Sequence, residues 1–229
     1  MKKYIVVFCC LILATGILGT IGKKHISDCG IASAKTIEDV DKIKCYFTIA
    51  ETKQQLEQNK KMLEKPKKLF SGYDHANNIA IVVPTGKVQL HEIQVTQEVK
   101  VLEIKKGNKQ LVGKKIILED LGAGFQLEGN RKNPSCYSIQ NIMQEDTKYL
   151  CFFNDIPLNK KNNIEQYHLA GGQFGFFNLD RTNQTKIFPK QEKLYKFGDL
   201  ADIEFFCSSK EALEIANKIK EKVVGKYCQ

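Results

Sequence analysis

Arginine is scarce in this chain: Arg131 and Arg181 are the two among 35 basic residues, and the rest are lysines. Lysine is a hydrated point charge, whereas bidentate reading of phosphate favours the arginine fork, so sequence-specific nucleic-acid recognition is disfavoured. No C-x-x-C occurs, which removes a thioredoxin-type redox pair and a zinc knuckle. The four histidines, His25, His75, His91 and His168, lack the i,i+4 or short-loop partner that a zinc site uses. Gly171-Gly172-Gln173-Phe174-Gly175 lacks the Gly-Lys-Ser/Thr ending of a phosphate loop and leads into aromatic residues instead of a helix, so it reads as a close-packed turn. No internal repeat or low-complexity tract breaks the chain. These absences leave no metal site, no cofactor and no catalytic set to expect, and they lean away from an enzyme.

The most informative stretch that is present comes first. Lys2 and Lys3 precede nineteen uncharged, mainly apolar residues from Tyr4 to Gly22, and Lys23, Lys24 and His25 follow. A charged start, an oily centre and a polar exit describe a secretory signal or a membrane anchor. As a helix, residues 4–22 reach about 28 Å, close to the ~30 Å hydrocarbon core of a bilayer. Ala14-Thr15-Gly16 and Thr20-Ile21-Gly22 offer weak cleavage patterns, so residues 1–22 stand as signal peptide or anchor with both open. The expected location is extracytoplasmic, anchored to the cell membrane or secreted. A net charge of +9 adds diffuse attraction to anionic headgroups or wall polymers, alongside the plainer reading of a solvated lysine surface.

Six cysteines lie beyond the leader: Cys29, Cys45, Cys136, Cys151, Cys207 and Cys228. An even number in an exported chain permits disulfides without fixing a pairing. Cys207 and Cys228 flank a helix of roughly 24 Å, beyond the ~7 Å Cα separation a disulfide tolerates. Cys151, inside Tyr-Leu-Cys-Phe-Phe, reads as a small buried hydrophobe. Few disulfides are expected, or none.

Residues 23–75 read as a spacer carrying a lysine-rich helix. Glu51 to Lys65 favours helix but has a thin apolar stripe, Pro66 stops it, and Lys60, Lys61, Lys65, Lys67 and Lys68 form a basic cluster. From Asn78 the period changes to that of strands. Ile79–Val83 is ended by Pro84, Val88–Ile93 and Val95–Ile104 follow, and Ile116–Leu118 comes after a turn at Gly113. Tyr137–Ile142 and Tyr149–Phe153 read as a hairpin across Gln144–Thr147. Such short strands at intervals of about ten residues predict a small antiparallel barrel or sandwich over 76–206. The stretch 207–229 is an amphipathic helix. Ser208-Ser209-Lys210-Glu211 matches a capping box, Ala212, Ala216, Ile219 and Val223 share a face, and Gly225 is the expected stop.

The strand with Thr96, Val99 and Val101 leads through Leu102-Glu103-Ile104-Lys105-Lys106-Gly107 to Gly113 and Ile116. With Tyr149-Leu150-Cys151-Phe152-Phe153 and Gly171-Gly172-Gln173-Phe174-Gly175-Phe176-Phe177, it resembles exported or membrane-anchored proteins of Gram-positive bacteria with a compact OB-like barrel. The resemblance spans about residues 76 to 190 and rests on turns and core strands. It implies location and the barrel architecture; joined to the N-terminal hydrophobic helix, the helical spacer and the C-terminal amphipathic helix read from the residues, the expected fold class is mainly β, α+β overall. That group has no assigned reaction, so no catalytic residue carries over.

Tyr167, Phe174, Phe176 and Phe177 are the candidate binding residues, a stacking platform of the kind OB domains offer to bases or sugars; core packing by simple alternation explains at least half of them instead. A Cys136–His168 or Cys151–His168 nucleophile pair is disfavoured because Cys151 falls mid-strand. The leading expectation is a non-enzymatic binding or structural module of the bacterial cell envelope, whose partner is an envelope protein or an anionic wall or membrane polymer, with membrane contact through residues 4–22. Behind it stand an OB-type domain for single-stranded nucleic acid or oligosaccharide, nucleic acid being the weaker ligand, and a hydrolase whose site the sequence does not display.

Overall fold

The computed structural model describes residues 30–49, 53–120, 122–126, 132–156, 164–171, 174–181, 183–188 and 193–228. The expected leader helix, with His25 and Cys29, lies outside the described residues. Among the described residues no helix is long and apolar enough to cross a membrane.

The strands in chain order are β1 (Lys44–Ile49), β2 (Asn78–Leu90), β3 (Val95–Lys106), β4 (Lys115–Asp120), β5 (Gly124–Gln126), β6 (Ser135–Ser138), β7 (Tyr149–Asp155), β8 (Gln166–Leu169), β9 (Phe176–Asn178) and β10 (Leu194–Lys196). Helices α1 (Ile37–Asp41), α2 (Lys53–Glu64) and α3 (Pro66–Asp74) precede β2, and α4 (Lys210–Tyr227) closes the chain. The fold is mixed α+β: a closed five-stranded barrel, with four helices among the described residues. The barrel runs β2-β3-β4-β8-β7 and back to β2, antiparallel throughout except for the parallel β4–β8 pair. Strand β9 extends it beside β7.

Burial on two faces explains why β7 is apolar at five successive positions. Cys151 and Phe153 enter the barrel with Ala80, Val99 and Leu118, while Leu150 and Phe152 turn outward under the helices. Pro84 was expected to end a strand, yet β2 continues through it. The register shifts between Pro84 and Val88, and Gly86 sits at φ +81°, so a bulge absorbs the residue that cannot donate to the ladder. Beyond the bulge Val88 and Leu90 leave the barrel for a second core.

That core belongs to a second sheet, β10-β1-β6-β5, with β1 and β6 parallel. Phe47 on β1 packs against Phe206, Phe188 and Phe197 at centroid separations of 4.7, 5.1 and 5.7 Å. Residues 34–49 are therefore folded into the body, although 23–75 read as a spacer. A capping box starts α1: Thr36 Oγ1 accepts from the Asp39 amide, and the Asp39 carboxylate accepts from the Thr36 amide, both at 3.2 Å. The hairpin expected between Tyr137–Ile142 and Tyr149–Phe153 does not form. β6 pairs with β1 and β5, because the chain between the two apolar runs crosses from one core to the other.

Pro66 ends α2 and opens α3, where its missing N–H costs nothing. Ala212, Ala216, Ile219 and Val223 of α4 lie on the outer barrel wall with Leu150, Phe152 and Phe177, joined by Leu69 and Tyr73 of α3. The helix flanks the wall and does not plug an end. Its cap is Ser209, whose Oγ accepts from the Ala212 amide at 3.1 Å, one residue beyond the expected Ser208. Gly225 does not stop it: α4 continues to Tyr227, held because Tyr227 and Lys226 donate to Asp74 at 2.6 and 2.9 Å. Deeper in, Lys220 Nζ meets Glu204 Oε2 at 2.7 Å, both side chains buried. Cys45, Cys136 and Cys151 are buried free thiols, and Cys228 is a half-buried one across α4 from Cys207. Burial lifts the Cys45 thiol to about 12.

Candidate functional cleft

The residues expected to form a binding platform are all core. Phe176 and Tyr167 point into the barrel, Phe176 against Tyr149 at 5.7 Å and Tyr167 against Phe153 at 5.1 Å. Phe174 and Phe177 face the opposite way, beneath α4, with Phe174 against Phe205 at 5.3 Å. The period of two along β9 splits Phe176 from Phe177, so no common exposed face exists for stacking. The expectation of such a platform is corrected by burial: all four residues are at most 6 % exposed.

The nucleophile pairs fail for a related reason. His168 lies outward on β8, its Nδ1 3.1 Å from Glu119 Oε2, while Cys151 lies inside the barrel and Cys136 in the second core. Cys151 Sγ rests 3.8 Å from Met143 Sδ, and burial pushes its thiol well up, so it stays protonated and inert. Among the described residues no group of three His, Cys, Asp or Glu side chains is placed to hold a metal.

What the fold does create is a cleft of about 500 Å³ between α2 and the rim of the barrel. Its roof is one face of α2. Gln55, Gln58, Asn59 and Met62 follow at steps of three, one and three, the spacing that brings side chains to the same side of a helix. Its walls are strand ends: Asp120 where β4 stops, Ser138 closing β6 and Gln140 just beyond it, Leu169 and Ala170 where β8 stops, and Gly175 before β9. The opening arises because the parallel β4–β8 pairing covers Ile117–Glu119 with Gln166–His168 and goes no further.

The polar rim is firmly held. Gln140 Nε2 donates to the Phe176 carbonyl at 2.7 Å, and its Oε1 accepts from the Gly175 amide at 3.1 Å. Ser138 Oγ donates to the Gln140 carbonyl. Asp120 Oδ1 accepts from the Gly122 amide at 2.8 Å, closing a short turn, while burial raises the Asp120 carboxyl above the usual carboxylate range. Asn59 is 2 % exposed, unusual for an amide on a helix otherwise rich in solvated lysine and glutamate. Met62, Ile139 and Leu169 add an apolar patch. Among the described residues lining the cleft there is no lysine, arginine or aromatic ring.

None of these residues was read from sequence as part of a ligand site; Asp120 and Gly175 read as turn residues. Gln-Asn-rich helices are ordinarily solvated, and the signal available was slight: a poor helix former, Asn59, inside a helix, and Asp120-x-Gly122 as a turn at a strand end. The chain matches no protein-family model and no curated protein.

Proposed function

We propose that this chain is a non-enzymatic binding module of the bacterial cell envelope, placed outside the cytoplasm by residues 4–22, with the cleft under α2 as its ligand site. One observation carries the reading: a cleft of about 500 Å³, the size of small-molecule sites, edged by amides, a hydroxyl and a carboxyl that are fixed by the fold. The strand order β2-β3-β4-β8-β7, with β4 and β8 parallel, supports an OB-like description of the barrel. Binding is favoured over hydrolysis because the described lining residues include a single carboxyl, and the Ser138 hydroxyl is spent on the Gln140 carbonyl with no base among the described residues hydrogen-bonded to it. Single-stranded nucleic acid fits poorly, since such sites combine a basic groove with exposed aromatic rings. The exposed Lys61 on α2, Lys65 between the helices, and Lys67 and Lys68 on α3 supply a separate surface for anionic wall or membrane polymers; Lys60 is committed to Glu57 and Glu211 at 2.8 and 2.7 Å.

Fractionation of a Gram-positive host expressing the full chain tests this. The expected result is digestion by protease added to intact protoplasts or recovery in the medium, together with retention on isolated wall or membrane material. A chain recovered in the cytosol and ignored by envelope fractions overturns it.

A further inference from the structure

We infer that the ligand of this cleft is a neutral glycan segment, recognised through its hydroxyls by Gln58 and Asp120. The inference rests on the reading of the cleft as a ligand site and names what enters it.

Charge argues first. The chain carries nine more basic than acidic residues, yet none of the described residues lining the cleft is basic. A site for phosphate, teichoic-type polymer or nucleic acid places cations where the anion sits. Among the described lining residues the one ionisable group is Asp120, which repels anions when charged.

Hydrogen-bonding capacity argues next. A sugar hydroxyl both donates and accepts, and side-chain amides present a donor and an acceptor side by side. Gln58 is exposed at the cleft mouth, while Asp120 retains acceptor capacity beyond its bond from the Gly122 amide. Met62, Ile139 and Leu169 offer the apolar contact that the C–H face of a sugar ring needs.

A peptide strand is the competing occupant, and main-chain recognition by strand addition needs a free edge. Among the described residues, four backbone amides at and behind the cleft walls are already taken. The Gly175 amide is bound to Gln140, the Ala170 amide to the Phe152 carbonyl at 2.7 Å, the Phe152 amide to the Gly175 carbonyl at 3.1 Å, and the Gly122 amide to Asp120.

Calorimetry on the full chain in mild detergent, with chitotetraose and cellotetraose as neutral probes, tests the inference. Inorganic phosphate and an N-acetylated, amidated tetra-alanine serve as competitors. One of the tetrasaccharides is expected to bind, with an affinity that changes less than about twofold between low and high salt because no counterions are released. Gln58→Trp, on an exposed helix position, should fill the mouth and abolish binding while leaving the circular dichroism unchanged; Asp120→Asn should weaken it several-fold and keep the Gly122 turn. Silence from both sugars, displacement by phosphate, occupation by the peptide, or sugar binding untouched by Gln58→Trp each overturns the inference. Retention on envelope material with both sugars silent would leave the proposed function standing and remove only the glycan. Sugar binding by a chain confined to the cytosol would do the reverse.

Discussion

Replacing Lys220 by Met should be among the most damaging single changes on α4, and its cost should depend on pH. Lys220 and Glu204 are 6 % and 7 % exposed and 2.7 Å apart, and Glu204 Oε1 also accepts from the Asn178 amide at 2.9 Å. Methionine keeps the aliphatic stem but leaves the Glu204 carboxylate buried without its cation, a loss of about 3–5 kcal/mol for such pairs. In a chain of this size each kcal/mol lowers the melting midpoint by roughly 2–4 °C, so the shift should fall between about 6 and 20 °C. Burial already raises the Glu204 carboxyl above its ordinary value despite the attraction of Lys220, and removing the cation raises it further. A carboxyl whose folded pKa lies above the unfolded one favours the fold at low pH and loses that contribution as pH rises through the folded value. The deficit of Lys220→Met should therefore be largest at neutral pH and shrink toward pH 5. Adding Glu204→Gln should recover most of it, since glutamine still offers an oxygen to the Asn178 amide. Thermal melts at the two pH values decide the matter. A loss below about 1 kcal/mol at pH 7, or one that does not diminish on acidification, refutes the reasoning.

Three further outcomes are expected. Ser209→Ala should cost about 1 kcal/mol by removing the cap of α4, whereas Ser208→Ala should stay within about 0.5 kcal/mol; equal losses in urea titrations would put the cap elsewhere. In the native protein, iodoacetamide followed by mass mapping should modify Cys228 before Cys45, Cys136 or Cys151, whose thiols are buried; rapid labelling of Cys151 would contradict the barrel interior assigned to it. Phe177→Ala should cost about 3–5 kcal/mol of stability, since its ring is fully buried between the wall and α4, and should leave sugar affinity at the cleft unchanged at temperatures where the variant is folded.

Much of the fold could be read locally. Short strands with turns at intervals of about ten residues foretold a barrel or sandwich, and the spacing of Ala212, Ala216, Ile219 and Val223 foretold a helix with one buried face, because both patterns are set by side chains within a few residues. What depended on distant partners could not be read. β1 has a strand composition too short to distinguish from spacer until β6 and β10 are placed beside it. Pro84 looks like a terminator unless Gly86 is known to sit in a bulge. Phe174 and Phe177 looked available for ligand because the helix that covers them arrives some 35 residues later in the chain. The cleft was the least legible part of all. Its lining comes from α2 and from the ends of four strands, and none of those residues is distinctive by type until the fold assembles them.

Where a ligand touches the molecule is read most directly by nuclear magnetic resonance of the ¹⁵N-labelled full chain in micelles. With a neutral tetrasaccharide added, the account predicts shifts at the side-chain amides of Gln55, Gln58 and Asn59 and at the backbone of Gly122, Gln140 and Gly175. Shifts gathered instead around Lys61, Lys65 and Lys68, with those cleft signals unmoved, would contradict it.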